Sequence, residues 1–582
     1  MQSVRAQSGG FRRVRPSDPA WPSGERWELL KRQVGGRLIA VRSPLAACVG
    51  QPASSACDAL FKQLRNPYFI GDDPALTQTL GWVDGWTSQP SIYAVAAEST
   101  ADVVAAVNFA RENKLRLVVK GGGHSYLGTS NAADSLLVWT RRMNAVTLHD
   151  AFVPKGCDGT LRPQPAVSLG AGAMWLQAYD AVSTKGGRYV QGGGCTTVGV
   201  AGLIQSGGFG SFSKRYGLAA ASLLEAEVVT ADGAVRTANA CNDPELFWAL
   251  KGGGGSSFGV VTRLTLKTHE LPPFFGMVHV GVTAKSDGAF RQLIDRLVGL
   301  YADRLFNPNW GEQMVFRPNN SVEITMVFQG IDQHQAEDTW RPLFDWVTAS
   351  KDDFAVTSPP MVVGVPARAL WNPAVLKQVP GLVVADDRAD APEGNIFWAG
   401  DAGQVGQVLY GYHSTWLPAS LLLPDSRTRL VDALFAASRH WGASLHFNKG
   451  LAGAPDDVRV AARDTATNPA AADAFALVII AANAPPAYPG IDGHEPDKAA
   501  AQVRADATDK AMQELRKLVP NPGSYVSETN FHERDWQHAF WGPNYPRLQA
   551  AKEKYDPEGL FFVHHGVGSE RWSADGFTRL AS

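Results

Sequence analysis

The 582-residue chain has no run of about 18 apolar residues, so no membrane-spanning helix is expected. Its longest apolar stretch, Ala474 to Ala482, has the length of a buried strand. The start, Met1 to Gly10 followed by Arg12, Arg13 and Arg15, lacks the apolar core of a secretory signal. That leaves a cytosolic protein or one whose leader has been removed. An excess of charge is also missing: Lys+Arg 54 against Asp+Glu 56 leaves a net −2. A nucleic-acid partner or a polybasic membrane anchor is therefore not expected. Cysteine is scarce, with five in all and none in a CxxC pair, so no metal site is expected. Neither GxGxxG nor GxSxG occurs at the glycine clusters, which removes support for a dinucleotide-type NAD site and for a hydrolase.

The few cysteines still carry information. Four of the five (Cys48, Cys57, Cys157, Cys195, Cys241) can form two disulfides in three connectivities, leaving one set apart. Cys48 and Cys57, nine apart in a segment rich in Ser, Ala and Pro, read as a loop staple. A disulfide favours an exported protein, periplasmic or extracellular, over a cytoplasmic one. The length exceeds the ~250–300 residues of a single core, so more than one lobe is expected. With 19% charged and 45% hydrophobic residues the chain is globular.

Glycine is in excess, 58 residues in all, and is concentrated locally. Ser99 and Thr100 cap a predicted helix with Val103, Val104 and Val107 on one face. The strand Leu115 to Val119 then runs into Gly121-Gly122-Gly123-His124-Ser125-Tyr126, where backbone N–H groups can converge on an anion. Val167 to Leu169 reads as a strand and Ala173 to Ser183 as a helix. A second cluster runs from Gly192 through Gly194, Cys195, Thr196, Thr197, Val198, Gly199 and Gly202 to Gly207, Gly208, Gly210, Tyr216 and Gly217. Such density implies backbone packed against something large and flat. Asp232-Gly233 predicts a hairpin between Ala226–Thr230 and Val235–Ala238. Asp243-Pro244 predicts an N-cap and first helical residue, and the helix leads into the third cluster, Gly252 to Gly255, before a strand from Val260. Beyond Pro272-Pro273, strands at Met277–Val282 and Val322–Phe328 with a helical face at Phe290, Leu293, Ile294, Leu297 and Leu300 suggest a sheet covered on one side.

Those three clusters, in that order, resemble the FAD-binding domain of the vanillyl-alcohol-oxidase superfamily (the PCMH type), specifically berberine-bridge-enzyme-like oxidases. Trp541-Gly542-Pro543-Asn544-Tyr545-Pro546-Arg547-Leu548 with Lys554-Tyr555-Asp556-Pro557 resembles that family's C-terminal signature. The resemblance implies an α+β fold in two lobes: an FAD lobe from residues 88–271, with 1–87 packed on it and 541–582 returning to it, and an antiparallel-sheet substrate lobe from 272–540. It implies bicovalent FAD, held by His124 at the flavin 8α-methyl and by Cys195 at flavin C6. Lining residues would be Gly121, Gly122, Gly123, Ser125, Tyr126, Gly194, Val198, Gly199, Gly202, Gly207, Gly208, Gly210, Tyr216, Val260, Asn544 and Tyr545. Cys195-Thr196-Thr197-Val198 stands where relatives commonly have Cys-Pro-Thr-Val; the sulfur keeps its place. Val198 occupies the position that, in relatives, admits O2 when valine and hinders it when leucine.

The implied activity is oxidation of an alcohol or saccharide hydroxyl, with H2O2 formed from O2; a dehydrogenase using another acceptor is the alternative. A monomer is expected. The base is sought on Ser524 to Asn530, where strand alternation would put Tyr525 and Glu528 on opposite faces. Tyr525 is preferred and Glu528 comes second. Leu445 to Lys449 falls where relatives place a polar active-site strand, which adds His446 and Lys449. Tyr410, Tyr412 and Trp416 form an aromatic stripe, and His564-His565 reads as a structural turn.

Overall fold

The computed structural model describes residues 11–520 and 522–581. The reading of Met1 to Gly10 lies outside them. One lobe is built on two sheets. In the first, Tyr93–Ala96, Ser135–Trp139 and Arg116–Lys120 run parallel, with Leu38–Ala40 antiparallel at the edge. The crossover between Tyr93–Ala96 and Arg116–Lys120 is the helix Thr100–Glu112, whose start carries a capping box between Ser99 and Asp102. It buries Val103, Ala106 and Val107 against the sheet. The second sheet is antiparallel, in the order Val235–Asn239, Leu223–Val229, Val260–Lys267, Gln164–Gly170, Val146–Phe152. The Asp232-Gly233 hairpin forms as predicted. Pro244 opens the helix Pro244–Leu250, but Asp243 does not cap it with its side chain. Its left-handed backbone, φ 45°, turns the carboxylate away, and the Tyr555 hydroxyl donates to it instead at 3.1 Å.

The other lobe is a nine-stranded sheet. Its order is Phe354–Pro366, Phe274–Ala284, Ser321–Gln329, Trp310–Phe316, Ala443–His446, Ala474–Ala484, Gln407–Pro418, Thr79–Trp82 and Trp86–Thr87. All neighbours are antiparallel except Thr79–Trp82 on Gln407–Pro418. Strand alternation splits the sheet cleanly. Val278, Val280, Ile324, Met326, Met314, Leu445 and Val478 face a core under the helices Asp287–Leu300, Gln333–Ala349, Pro424–Ser438 and Lys498–Leu518. Their neighbours in sequence face the first lobe. Residues before 88 are divided between the lobes: Leu38–Ala40 joins the first lobe's sheet, whereas Thr79–Thr87 extends the sheet of the other lobe.

The C-terminal helix Tyr545–Tyr555 sits against the first lobe, where the buried Lys552 ammonium donates to Ser257 O (2.6 Å), Phe561 O (2.7 Å) and Asp556 (2.7 Å). Two disulfides form, Cys48–Cys57 as anticipated and Cys157–Cys241, leaving Cys195 free. Among the described residues no helix is long and apolar enough to cross a membrane.

Candidate active site

The three glycine clusters meet between the lobes. Strand Arg116–Lys120 ends in a buried Lys120, whose ammonium donates to the carbonyls of Pro74 (2.7 Å) and Leu76 (2.9 Å) and so anchors the start of the first cluster. Burial pulls this lysine down to about 7. Gly122 and Gly199 then pack backbone against backbone. A Cβ on Gly122 would lie 2.6 Å from Gly199 N, and one on Gly199 would lie 2.8 Å from Gly122 N. Only glycine allows that approach, and it brings His124 and Cys195 to one place. The Tyr179 hydroxyl donates to Gly193 O (2.8 Å) and Trp398 Nε1 to Gly194 O (3.0 Å), fixing the second cluster. The third is tied in by Gly254 N donating to Gln205 O (2.8 Å) and Trp541 Nε1 to Gly252 O (2.9 Å).

These loops floor a cavity of about 1140 Å³ that the nine-stranded sheet roofs. That is larger than the ~300–1,000 Å³ of an ordinary small-molecule pocket. His124 Nε2 lies 3.2 Å from Thr197 Oγ1, and burial draws the imidazole down to about 4. The Cys195 thiol is pushed well up by burial and by Asp401, to which it is hydrogen-bonded. Burial raises Asp401 in turn, to about 6. Across the cavity Lys449 Nζ grips both carboxylate oxygens of Glu528, at 2.6 and 2.5 Å. Glu312, in a left-handed conformation (φ 69°) within its strand, accepts from Ser211 Oγ (2.5 Å) and Asn448 Nδ2 (3.3 Å); burial raises this carboxyl also. His446 Nε2 meets Ser444 Oγ at 3.0 Å, and Ser444 donates to Gln313 (2.9 Å); burial holds this imidazole well below its usual range.

Family comparisons match residues 91–239 to an FAD binding domain and residues 524–568 to the berberine and berberine-like domain. The chain is 30% identical over 594 residues to the FAD-linked oxidoreductase easE of Trichophyton verrucosum, covering 97% of this chain and 91% of that one. It belongs to the berberine-bridge-enzyme-like FAD-linked oxidoreductases of the vanillyl-alcohol-oxidase superfamily. The VAO-type flavoprotein MtVAO615 from Myceliophthora thermophila shares 26% identity at a TM-score of 0.79, over 98% of this chain and 100% of that one. The glucooligosaccharide oxidase of Acremonium strictum, described with a 6-S-cysteinyl, 8α-N1-histidyl FAD, shares the fold at 19% identity and a TM-score of 0.64, over 90% and 99%.

The cavity of this oxidoreductase fits FAD. Among the described residues, four buried polar atoms on cavity-lining residues have no hydrogen-bond partner: Gln205 Oε1, Ser257 Oγ, Asn448 Oδ1 and His565 Nδ1. Gly202 and Gly255 also line it, with nothing within 4 Å of where a Cβ would stand. Both features suit a polar, many-atom cofactor.

Of the residues expected to line the site, Gly121, Gly122, Gly123, His124, Ser125, Tyr126, Gly194, Cys195, Val198, Gly199 and Gly202 do so, as do His446, Lys449, Tyr525 and Glu528. Seven do not. Gly207 presses on Thr467, Gly208 on Leu203, and Gly210 on the Gly192 carbonyl, so these glycines serve loop packing. Tyr216 leans on Tyr189 with centroids 4.4 Å apart, and Val260 is fully buried in the core beneath the first sheet. Asn544 donates to Thr467 O (3.0 Å), and the Tyr545 hydroxyl donates to Glu570 (2.7 Å).

The segment around Tyr525 is also not the extended strand expected. It is a tight turn in which Glu528 N donates to Tyr525 O at 2.9 Å. Reversal of the chain cancels alternation, so Tyr525 and Glu528 both reach the cavity. His564 and His565 line it too, stacked on Phe531 (3.9 Å) and Trp536 (5.3 Å). Sequence reasoning missed Asp401, Glu312, Gln404 and Trp398, which stand in no motif. Tyr412, from the aromatic stripe, lies 5.3 Å from Tyr126 at the cavity wall.

Proposed function

We propose that this oxidoreductase is an oxidase with FAD bound through both His124 and Cys195, acting on a hydroxyl-bearing small molecule and forming H2O2 from O2. The observation that carries the reading is the meeting of His124 and Cys195 in one cavity opposite the Lys449–Glu528 pair. When bound, FAD supplies the two-electron acceptor for a hydride from the substrate carbon.

The imidazole of His124, drawn down to about 4, is neutral near pH 7 and keeps a lone pair for attachment. Thr197 engages Nε2, which leaves Nδ1 for that role. Cys195 is protonated at neutral pH, and only its thiolate is nucleophilic. Asp401, hydrogen-bonded to it, is the group placed to receive that proton.

For the substrate hydroxyl, a base must stand within hydrogen-bond reach. Glu528 supports that role better than Tyr525. Lys449 orients its carboxylate towards the cavity, whereas burial and the Glu528 charge push the Tyr525 phenol far up and keep it protonated. Tyr525, set edge-on to Phe209 at 5.1 Å, serves as a fixed donor. Val198 at the cavity wall supports access of O2, and the two disulfides support an oxidising, extracytoplasmic compartment.

Acid precipitation tests the attachment. His124→Ala and Cys195→Ala should each retain flavin, and only the double variant should release it all. Complete release from either single variant refutes the two-point model. Peroxide yield under air separates an oxidase from a dehydrogenase.

A further inference from the structure

The sheet that roofs the cavity is not chemically uniform, and its register shows how the change runs. Residues opposite one another on neighbouring strands share a face. One row reads His446, Gln313, Thr325, His279, Met361 from the sheet interior to its edge. The adjacent row reads Gly311, Val327, Met277, Val363. The inner part therefore offers imidazole, amide and hydroxyl groups above Lys449 and Glu528. Further out, His279 and Ser358 hydrogen-bond each other at 3.0 Å and do not line the cavity, so the edge strand Phe354–Pro366 gives the lining only the thioether of Met361 and the isopropyl groups of Val363 and Val365.

The segment from Ala369 to Leu382 lines the same cavity as Met361 and Val363, and none of the residues it gives to the lining is charged. Trp371 clamps the segment to the first lobe by stacking on Tyr179, centroids 4.3 Å apart. Apolar side chains on both walls remain open to solvent: Met361 is 40% exposed, Val363 40%, Val375 38% and Val379 46%. Apolar groups that line a cavity and stay wet mark a binding surface more often than a structural one. This channel is continuous with the candidate active site.

We infer that this channel holds the apolar body of the substrate, and that the substrate is a two-ended small molecule: a hydroxyl-bearing polar end beneath His446, Lys449 and Glu528, and an extended aromatic or aliphatic end lying between Val363 and Val379. A saccharide of several units does not suit these walls. Its hydroxyls would leave water for surfaces that return no hydrogen bonds. The inference rests on the oxidase reading but goes beyond it in naming the substrate class.

The test uses the flavin-loaded full chain and a series of 4-alkoxybenzyl alcohols from methoxy to octyloxy, with cello-oligosaccharides as the contrasting series. Dissociation constants are read from calorimetry and from perturbation of the flavin absorbance, independently of turnover. Affinity for the alkoxy series should rise about two- to fourfold per added methylene, as expected for apolar burial. Val363→Ser and Val379→Ser, both at exposed sites, should flatten that rise. A flat series in the wild type, no binding by any member, or a slope that neither substitution moves overturns the proposal. Affinity that climbs with saccharide length instead overturns it also. A change in sedimentation coefficient on Val363→Ser would give the face to a second copy of the chain, with the same consequence. Failure of the oxidase reading is distinct: it appears as binding without reduction of the flavin.

Discussion

Replacing Gly122 with alanine tests how the site is assembled. The new Cβ would stand 2.6 Å from Gly199 N, and an ordinary contact begins near 3.4 Å, so the loops must part by about 0.8 Å. The obstructing atom is backbone and cannot swing aside as a side-chain tip would. Overpacking of this kind costs about 1–3 kcal/mol. The chemical effect should exceed the thermal one. Functional geometry tolerates about 0.5 Å, and a 1 Å misplacement can cost about 10²-fold in rate.

Gly122→Ala should therefore fold with a modestly lowered Tm but carry sharply less acid-stable flavin. Mass spectrometry of the peptides containing residues 124 and 195 should show the loss. Gly24→Ala is the control, because nothing lies within 4 Å of its Cβ position and it is not among the residues lining the cavity. It sits in the helix Gly24–Gln33, where alanine is the better helix former by up to ~1 kcal/mol. A Gly122→Ala protein with full attachment at both residues would refute the argument that these two clusters position the cofactor by touching.

Three further outcomes follow from the same geometry. Glu528→Gln should slow flavin reduction by substrate about 10²-fold or more while Tyr525→Phe slows it no more than about tenfold; stopped-flow rates in the reverse order would move the base to Tyr525. Loss of Cys157–Cys241, which spans 84 residues, should destabilise by about 2 kcal/mol more than loss of Cys48–Cys57, which spans nine, because loop-closure entropy grows with length; equal denaturation midpoints for the two Cys→Ser pairs would contradict it. Asp401 is raised to about 6 by burial, so its ionisation costs the folded state nothing below about pH 4 and the full penalty above pH 6. Asp401→Asn should accordingly raise Tm at pH 8 and leave it nearly unchanged at pH 4, and a gain of the same size at both values would show that charge is not the cause.

Local chemistry was legible in the sequence wherever one short segment carries the whole signal. The Ser99 capping box, the Asp232-Gly233 hairpin and the Cys48–Cys57 staple depend on neighbours within ten residues, and each forms. The glycine clusters were legible as well, though for two different uses that composition does not distinguish. Gly122 and Gly199 let two loops touch at the cavity, whereas Gly208 and Gly210 relieve clashes inside one lobe and Gly207 relieves one with the distant Thr467.

What the amino-acid order determined by itself was the family, and it marked His124 and Cys195 as candidates that the fold brings into one cavity, because both lie in contiguous motifs. Only the tertiary structure decided who their neighbours are. Asp401 comes to Cys195 from more than two hundred residues downstream, and Lys449 reaches Glu528 from a different strand end. The position of Glu528 turned on one local reversal: a strand would have pointed it away from Tyr525, and a tight turn brings both to the cavity. Side-chain identity and spacing are one-dimensional properties. Which carboxylate is buried, which is paired and which faces the substrate depends on packing between segments that are distant in sequence.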